Sequence, residues 1–315
     1  MFPAVWSGSA SSFSILGGAP GLALGVAPGQ VVGIGPGGGA AVWAGDPPTL
    51  VSLHNPAWYH SQANATSGQE QVGYYRAAPG QPLRAVMWRG TAQSVVNLHP
   101  AGAHDSAATS AIPGLQGGWA RFGPIGARLY NAALWSGSAE SFINLHPPGL
   151  LQSQITGMVE GQQVGWASRP GGGSHAAMWH GSAASYIDMH PSWTTVSQIL
   201  ATCGSAQVGW ANLGSLGGVR AGIWFGTPES FINLGQYLPP VYGESVATCV
   251  AFDGERYYVG GYAVGAAAGR QAFLWVGVPG PSTLALGTLA LGAMGRRPRR
   301  GAASGAGQGC SRIQR

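Results

Sequence analysis

The chain has 315 residues, enough for one large all-β domain or two small ones. Charged residues make up 8%, against about 25% in average soluble proteins, while 45% are hydrophobic and 12 are Trp, so an apolar core is available despite 54 Gly and 22 Pro. All fifteen basic residues are Arg, and six of them (Arg296, Arg297, Arg299, Arg300, Arg312 and Arg315) lie near the C-terminus; the other nine meet ten acidic residues, and a near-neutral body excludes the basic face that nucleic-acid binding needs.

The first element in the chain is already part of a repeat. Ala-x-aliphatic-Trp recurs, ending at Trp43, Trp88, Trp135, Trp179, Trp224 and Trp275, with Pro3 in the Ala place in the copy ending at Trp6. A small turn such as Ser136-Gly137-Ser138 follows most copies. Three segments then come in fixed order. The first alternates polar and apolar residues, as in Phe142-Ile143-Asn144-Leu145, the period of a half-buried strand. The second opens with Ser, as in Ser153-Gln154-Ile155. The third reads Gln163-Val164-Gly165-Trp166-Ala167, with echoes at 71–75, 207–211 and 258–263.

Four short strands per unit of about 40–45 residues, with no helical period in the body, is the pattern of a propeller blade. The expected fold class is therefore an all-β β-propeller of tandem four-stranded repeats. Counted from the first Trp strand, six complete units run from residue 3 to about 263. The strand 272–275 is then left over to close the ring against the N-terminus. The alternative is a seven-bladed ring completed by an earlier segment. Expected boundaries are 1–276 for the propeller, 277–300 for a hydrophobic and Arg-rich segment, and 301–315 for a disordered tail.

The sharpest candidate site is a histidine series. His54, His99, His146 and His190 each follow the same strand in four consecutive units, and Pro100, Pro147 and Pro191 directly follow three of them. Equivalent positions in a propeller form a ring, so neutral imidazoles there could hold a metal or a polar ligand. The competing reading is that a copied residue belongs to the repeat's own framework, with His capping a strand end and Pro stopping its pairing. Gly17 and Gly235 interrupt the series, and Asp105 and Asp188 read as isolated carboxylates. His104, His175 and His180 read as turn residues, and His60 stands beside Tyr59 in one unit alone. No Ser or Cys stands at a spacing that points to a catalytic triad. The Gly-rich runs are turns and not phosphate loops, since the chain has no Lys. Tyr74, Trp119, Trp166 and Trp210 are expected in the core, with sugar stacking as the alternative. Cys203 and Cys249, each in an Ala-Thr-Cys triplet, are expected as small buried residues.

Ala-x-Leu-Trp, a Leu-ended strand and then Ser…Gly-Gln-x-Val-Gly resembles the bacterial extracellular HAF repeats over nearly the whole body. The resemblance implies a propeller-like fold and an extracellular or surface setting. The end of the chain resembles a PEP-CTERM sorting signal. It has Pro279-Gly280-Pro281, with Gly280 where that signal carries Glu, then an apolar stretch, then Arg296-Arg297-Pro298-Arg299-Arg300. An apolar stretch with basic residues on its far side reads as a membrane segment with the arginines cytoplasmic. Such a tail belongs to an exported protein, and the expectation is that the true start, with a signal peptide, lies upstream. The reading of function is a non-enzymatic exported or surface-associated scaffold and recognition module, directed at polysaccharide or an envelope protein. It requires no cofactor. The alternative is a propeller-type polysaccharide lyase or hydrolase working through the His cluster.

Overall fold

The computed structural model describes residues 2–6, 9–17, 20–123, 129–214, 218–267, 269–278 and 285–290, with the backbone alone at 10, 278 and 285–290. An N-terminal hairpin of β1 (Ala4–Val5) and β2 (Ser14–Ile15) precedes six four-stranded antiparallel sheets. The first contains β3 (Leu22–Ala27), β4 (Gln30–Ile34), β5 (Ala40–Ala44) and β6 (Thr49–Ser52). The second contains β7 (His60–Thr66), β8 (Gln71–Arg76), β9 (Arg84–Trp88) and β10 (Val96–Asn97). The third contains β11 (Asp105–Ile112), β12 (Leu115–Arg121), β13 (Tyr130–Trp135) and β14 (Ile143–Asn144). The fourth contains β15 (Gln152–Val159), β16 (Gln162–Ser168), β17 (Ser174–Trp179) and β18 (Ile187–Asp188). The fifth contains β19 (Ser197–Thr202), β20 (Gln207–Asn212), β21 (Val219–Trp224) and β22 (Ile232–Asn233). The sixth contains β23 (Tyr242–Phe252), β24 (Tyr257–Gly265), β25 (Gly269–Val278) and β26 (Ala285–Ala290). Each sheet is a blade, and the first strands of all six line one central channel.

The blades begin elsewhere in the repeat than the Trp-first count places them. Blades two to six open on the Ser-led strand and blade one on its counterpart with Gly21 in the Ser place, and the Ala-x-aliphatic-Trp strand is third in all six. A tandem repeat carries no mark of its own phase, so four candidate crossovers look alike in sequence. The real one follows the short fourth strand, where Pro100, Pro147 or Pro191 cannot donate to a ladder. In this phase the strand expected to be left over belongs to β25, inside the sixth blade, and does not close against the N-terminus. Each blade consists of strands consecutive in sequence. The sixth runs past residue 276, because the free edge of β25 pairs with six residues of the apolar stretch. Among the described residues, no helix is long and apolar enough to cross a membrane.

The third-strand motif sends its side chains both ways. In Ala132-Ala133-Leu134-Trp135, Ala132 and Leu134 meet the fourth blade's Ile155, Ala167 and Trp179. Ala133 and Trp135 meet the second blade's Val72, Ala85, Met87 and Leu98. Small residues opposite a large ring let the faces interdigitate. The six Trp of complete blades are 0–2% exposed.

The recurring Gly of the second strand has one cause. Every first strand carries a bulge, between Ile155 and Gly157 in the fourth blade, and the residue before the break pairs with that Gly. A Cβ on Gly165 would stand 1.9 Å from the Gln154 carbonyl oxygen, and Gly33, Gly73, Gly118, Gly209 and Gly261 face equivalent contacts at 1.8–2.1 Å. The bulges bend the strand where it lines the axis. Their extra residues also tie blade to blade: Asn64 donates to the Ala108 carbonyl (2.7 Å), Thr109 to Ile155 (2.7 Å) and Thr156 to Ile199 (2.6 Å).

Candidate functional site

The four histidines sit at blade junctions, and each is part of a relay of hydrogen bonds. At the junction of blades three and four, the Ala132 amide donates to Ser153 Oγ (2.9 Å), and Ser153 Oγ lies 2.8 Å from His146 Nδ1. A carbonyl oxygen can only accept, so a neutral ring facing the Leu150 carbonyl carries its proton on Nε2, and Nδ1 accepts the Ser153 hydroxyl hydrogen while Oγ accepts the amide. That Nε2 donates to the Leu150 carbonyl (3.1 Å). The same unit recurs with Ala176, Ser197, His190 and the Thr194 carbonyl, with Ala85, Ser106 and His99, and with Ala40, Ser61 and His54. These serines are 0% exposed. Ser52, Asn97, Asn144 and Asp188, each two residues before a His, accept that His amide hydrogen on their side-chain oxygens. Hydroxyl and imidazole thus connect the third strand of one blade to the first strand of the next.

The gaps in the series follow the same logic. At the junction of blades five and six, Ser245 still accepts the Ala221 amide (3.0 Å). The His place is Gly235, where an added Cβ would lie 2.6 Å from Cδ of Arg220, so the Arg stem occupies the imidazole's space. At the junction of the N-terminal hairpin with blade one, Pro3 has no amide hydrogen to give. Gly21 stands in the Ser place and Gly17 in the His place, so all three members of the relay are missing together.

Burial is the first cause lowering the pKa of His99, His146 and His190 below the ordinary histidine value of 6.5. Arg84 adds to this at His99, and His175, stacked on His190 at 3.7 Å, adds to it there. The folded state favours the neutral ring, while the unfolded chain takes up its proton near 6.5. Below that pH the unfolded state binds more protons. The contribution is therefore complete above about 6.5 and is lost as pH falls toward the lowered folded values. Thermal unfolding followed by circular dichroism is expected to show Tm falling between pH 7.5 and 5, with a flatter acid slope in His99→Gln/His146→Gln/His190→Gln. Ser153→Ala strands a buried amide and Nδ1 together and is expected to cost about 1–3 kcal/mol at pH 7.5, read from urea unfolding.

Two carboxylates that read as isolated have partners. Asp105 pairs with Arg121 and with His104 (2.9 Å), and it accepts the Leu83 amide (2.8 Å). Asp188 pairs with Arg169 and His175 at 3.0 Å each. His175 and His60 therefore stand on strands, in β17 and β7, whereas His180 keeps its turn and bonds the Gly161 carbonyl (2.8 Å). Among the described residues, no three His, Cys, Asp or Glu side chains converge as a metal site. Cys203 and Cys249 are half-buried rather than fully buried and are not paired with each other in a disulfide, and Cys203 packs against the core between blades five and six. Tyr74, Trp119, Trp166 and Trp210 are also half-buried rather than fully in the core. Pro279, Gly280, Pro281, Arg296, Arg297, Arg299 and Arg300 lie outside the described residues.

The second candidate is the channel. It encloses about 950 Å3 at the opposite end of the first strands from the histidines. At one matching position of the first strands, its wall carries Val26, Thr66, Ala111, Met158, Thr202 and Val250 from blades one to six, with Thr shared by blades two and five. Its threonine hydroxyls are turned to the fold: Thr66 bonds Gln30 (2.7 Å), Thr202 bonds Gln162, and Thr109 and Thr156 are used between blades. The wall is left mainly apolar, with Glu160 exposed at the rim.

Blades in a ring around such a channel define a β-propeller. Among solved structures, the chain is similar to puromycin hydrolase, in its S511A mutant complexed with PGG, at 11% identity and TM-score 0.60, covering 91% of this chain and 49% of that one. It is similar to the β-propeller domain of the Trilobed protease from Pyrococcus furiosus, described as having an open velcro topology, at 8% identity and TM-score 0.55, covering 89% and 82%. A post-proline cleaving enzyme from Rickettsia typhi matches at 9% identity and TM-score 0.51, covering 84% and 45%. The chain thus spans about half the length of the two enzymes. At these identities the likeness is one of fold. No family model matches the sequence, and no curated protein does.

Proposed function

We propose that this protein is a non-enzymatic propeller of the bacterial envelope, exported or held at the surface, which recognises polysaccharide or an envelope protein at the channel rim. The observation that carries the reading is a division of labour among residues. What the blades share is committed to the ring: Trp to the interfaces, Gly to the bulges, and His and Ser to the junction relay. The channel wall varies from blade to blade at the position held by Val26, Thr66, Ala111, Met158, Thr202 and Val250. A wall that varies around the ring offers an asymmetric surface of the kind that recognition requires. The extracellular setting rests on the resemblance to HAF repeats and to a PEP-CTERM tail.

Calorimetric titration with neutral and acidic exopolysaccharide fractions and with purified envelope proteins tests this reading. One of these should bind, and Val159→Arg in the channel wall should weaken that binding at least tenfold with Tm unchanged. Binding that ignores Val159→Arg, or none at all, contradicts the reading. So does polysaccharide cleavage that His146→Ala abolishes.

A further inference from the structure

The blade-to-blade interface is repeated five times, and its two halves also occur once each without the other. Blade one is met from its N-terminal side by the β1–β2 hairpin. Leu16 and Val5 pack on Ala41 and Trp43, as Leu98 and Met87 of blade two pack on Ala133 and Trp135. The Leu16 amide bonds the Pro3 carbonyl at 2.8 Å, as Leu98 bonds Ala85 (3.0 Å) and Leu145 bonds Ala132 (2.8 Å). The hairpin is therefore the outer half of a blade, its third and fourth strands, without the inner two.

Both surfaces that would flank those inner strands are open. Trp6 is 48% exposed, whereas its six counterparts are 0–2% exposed, and Phe13, 5.2 Å from its ring, is 45% exposed. On blade six, Ala272 is exposed and Leu274 half-buried, while the matching pairs Ala132 and Leu134, Ala176 and Met178, and Ala221 and Ile223 are all buried. Tyr258, Tyr262 and Val276 on the same face are also only half-buried. The buried clusters join neighbours from blade one through blade six, and among the described residues none joins blade six to blade one.

We propose that blade six and the β1–β2 hairpin form the seat of a seventh blade, and that its occupant is an antiparallel β-hairpin of this repeat's own inner-strand type. The established interface defines that occupant: a Ser-led bulged strand, a tight turn, and a second strand of the Gln-x-Val-Gly-aromatic-Ala pattern. Its apolar face covers Ala272 and Leu274 and completes the shelter of Trp6. Blade four already contains a fitting hairpin, because β15–β16 packs on Ala132 and Leu134, the same residue types in the same positions as Ala272 and Leu274.

The test places a copy of residues 151–173 directly ahead of Met1, so that Pro3 falls where Ala176 falls in blade four. Hydrogen exchange read by mass spectrometry is expected to slow at least tenfold in peptides 2–16 and 258–276, with a higher Tm; a shuffled 23-residue extension should do neither. Unchanged exchange with the extension in place overturns the proposal. If the extension prevents folding, the unaltered protein decides: residues 2–16 should exchange at least tenfold faster than the matching 131–145, and equal protection overturns the proposal. A dimer in sedimentation whose 2–16 amides are already protected also overturns it, since a second copy would then cover the face.

Discussion

Gly165→Ala is expected to destabilise the protein by about 3 kcal/mol or more, the upper end of overpacking effects. The new Cβ would stand 1.9 Å from the Gln154 carbonyl oxygen. That atom belongs to backbone on the far side of a bulge and is not the end of a mobile side chain. Relief requires the two strands to part at the register break between Ile155 and Gly157, which would also draw Thr156 from the Ile199 carbonyl. The loss should therefore reach the junction of blades four and five. Gly161→Ala provides the contrast. Its Cβ meets nothing within 4 Å, so its effect comes only from a φ of +72° that favours glycine. Urea unfolding of the two variants should separate them clearly, with the Gly165 change the larger, and equal losses would refute the close-approach account.

Trp135→Ala is expected to lose about 3–5 kcal/mol, the range for deleting a large buried ring. The ring is 0% exposed and packs on Met87 and Leu98 of the preceding blade, so the cavity would open in the interface. Its Nε1 has no hydrogen-bond partner, hence Trp135→Phe gives up ring area alone and should lose clearly less. Trp6→Ala should cost under about 1 kcal/mol, because half of that ring already meets solvent. A large loss at Trp6 would mean that its face is covered in solution.

The parts of the fold legible in sequence are those set by local alternation. Phe142 to Leu145 and Gln163 to Ala167 read as strands because their side chains alternate between environments. Trp135 reads as core because it returns with Ala at fixed spacing. The phase of the blade was not legible, since nothing local distinguishes the turn after Leu145, which crosses to a new blade, from the turn after Trp135, which does not. Gly165 is visible as a copied residue, but the carbonyl that forbids a side chain there belongs to a bulge in another strand. The site was legible in pieces. His146 and Ser153 each stand out as recurring residues, yet the sequence shows six positions, two of them prolines, between them, not a hydrogen bond. Asp105 and Asp188 read as solitary because Arg121 reaches the first from the neighbouring strand and Arg169 reaches the second from the turn after β16. The empty His place at Gly235 becomes intelligible only once the Arg220 stem is found in it.

The central claim is that the copied histidines hold the ring together and do no chemistry. Selective 15N labelling of histidine, with long-range proton correlation at pH 7.5, tests it most directly. His99, His146 and His190 should each show the neutral ring with its proton on Nε2 and an accepting Nδ1, unchanged by added Zn2+. Protons on Nδ1, or selective Zn2+ shifts at these three residues, would contradict the account.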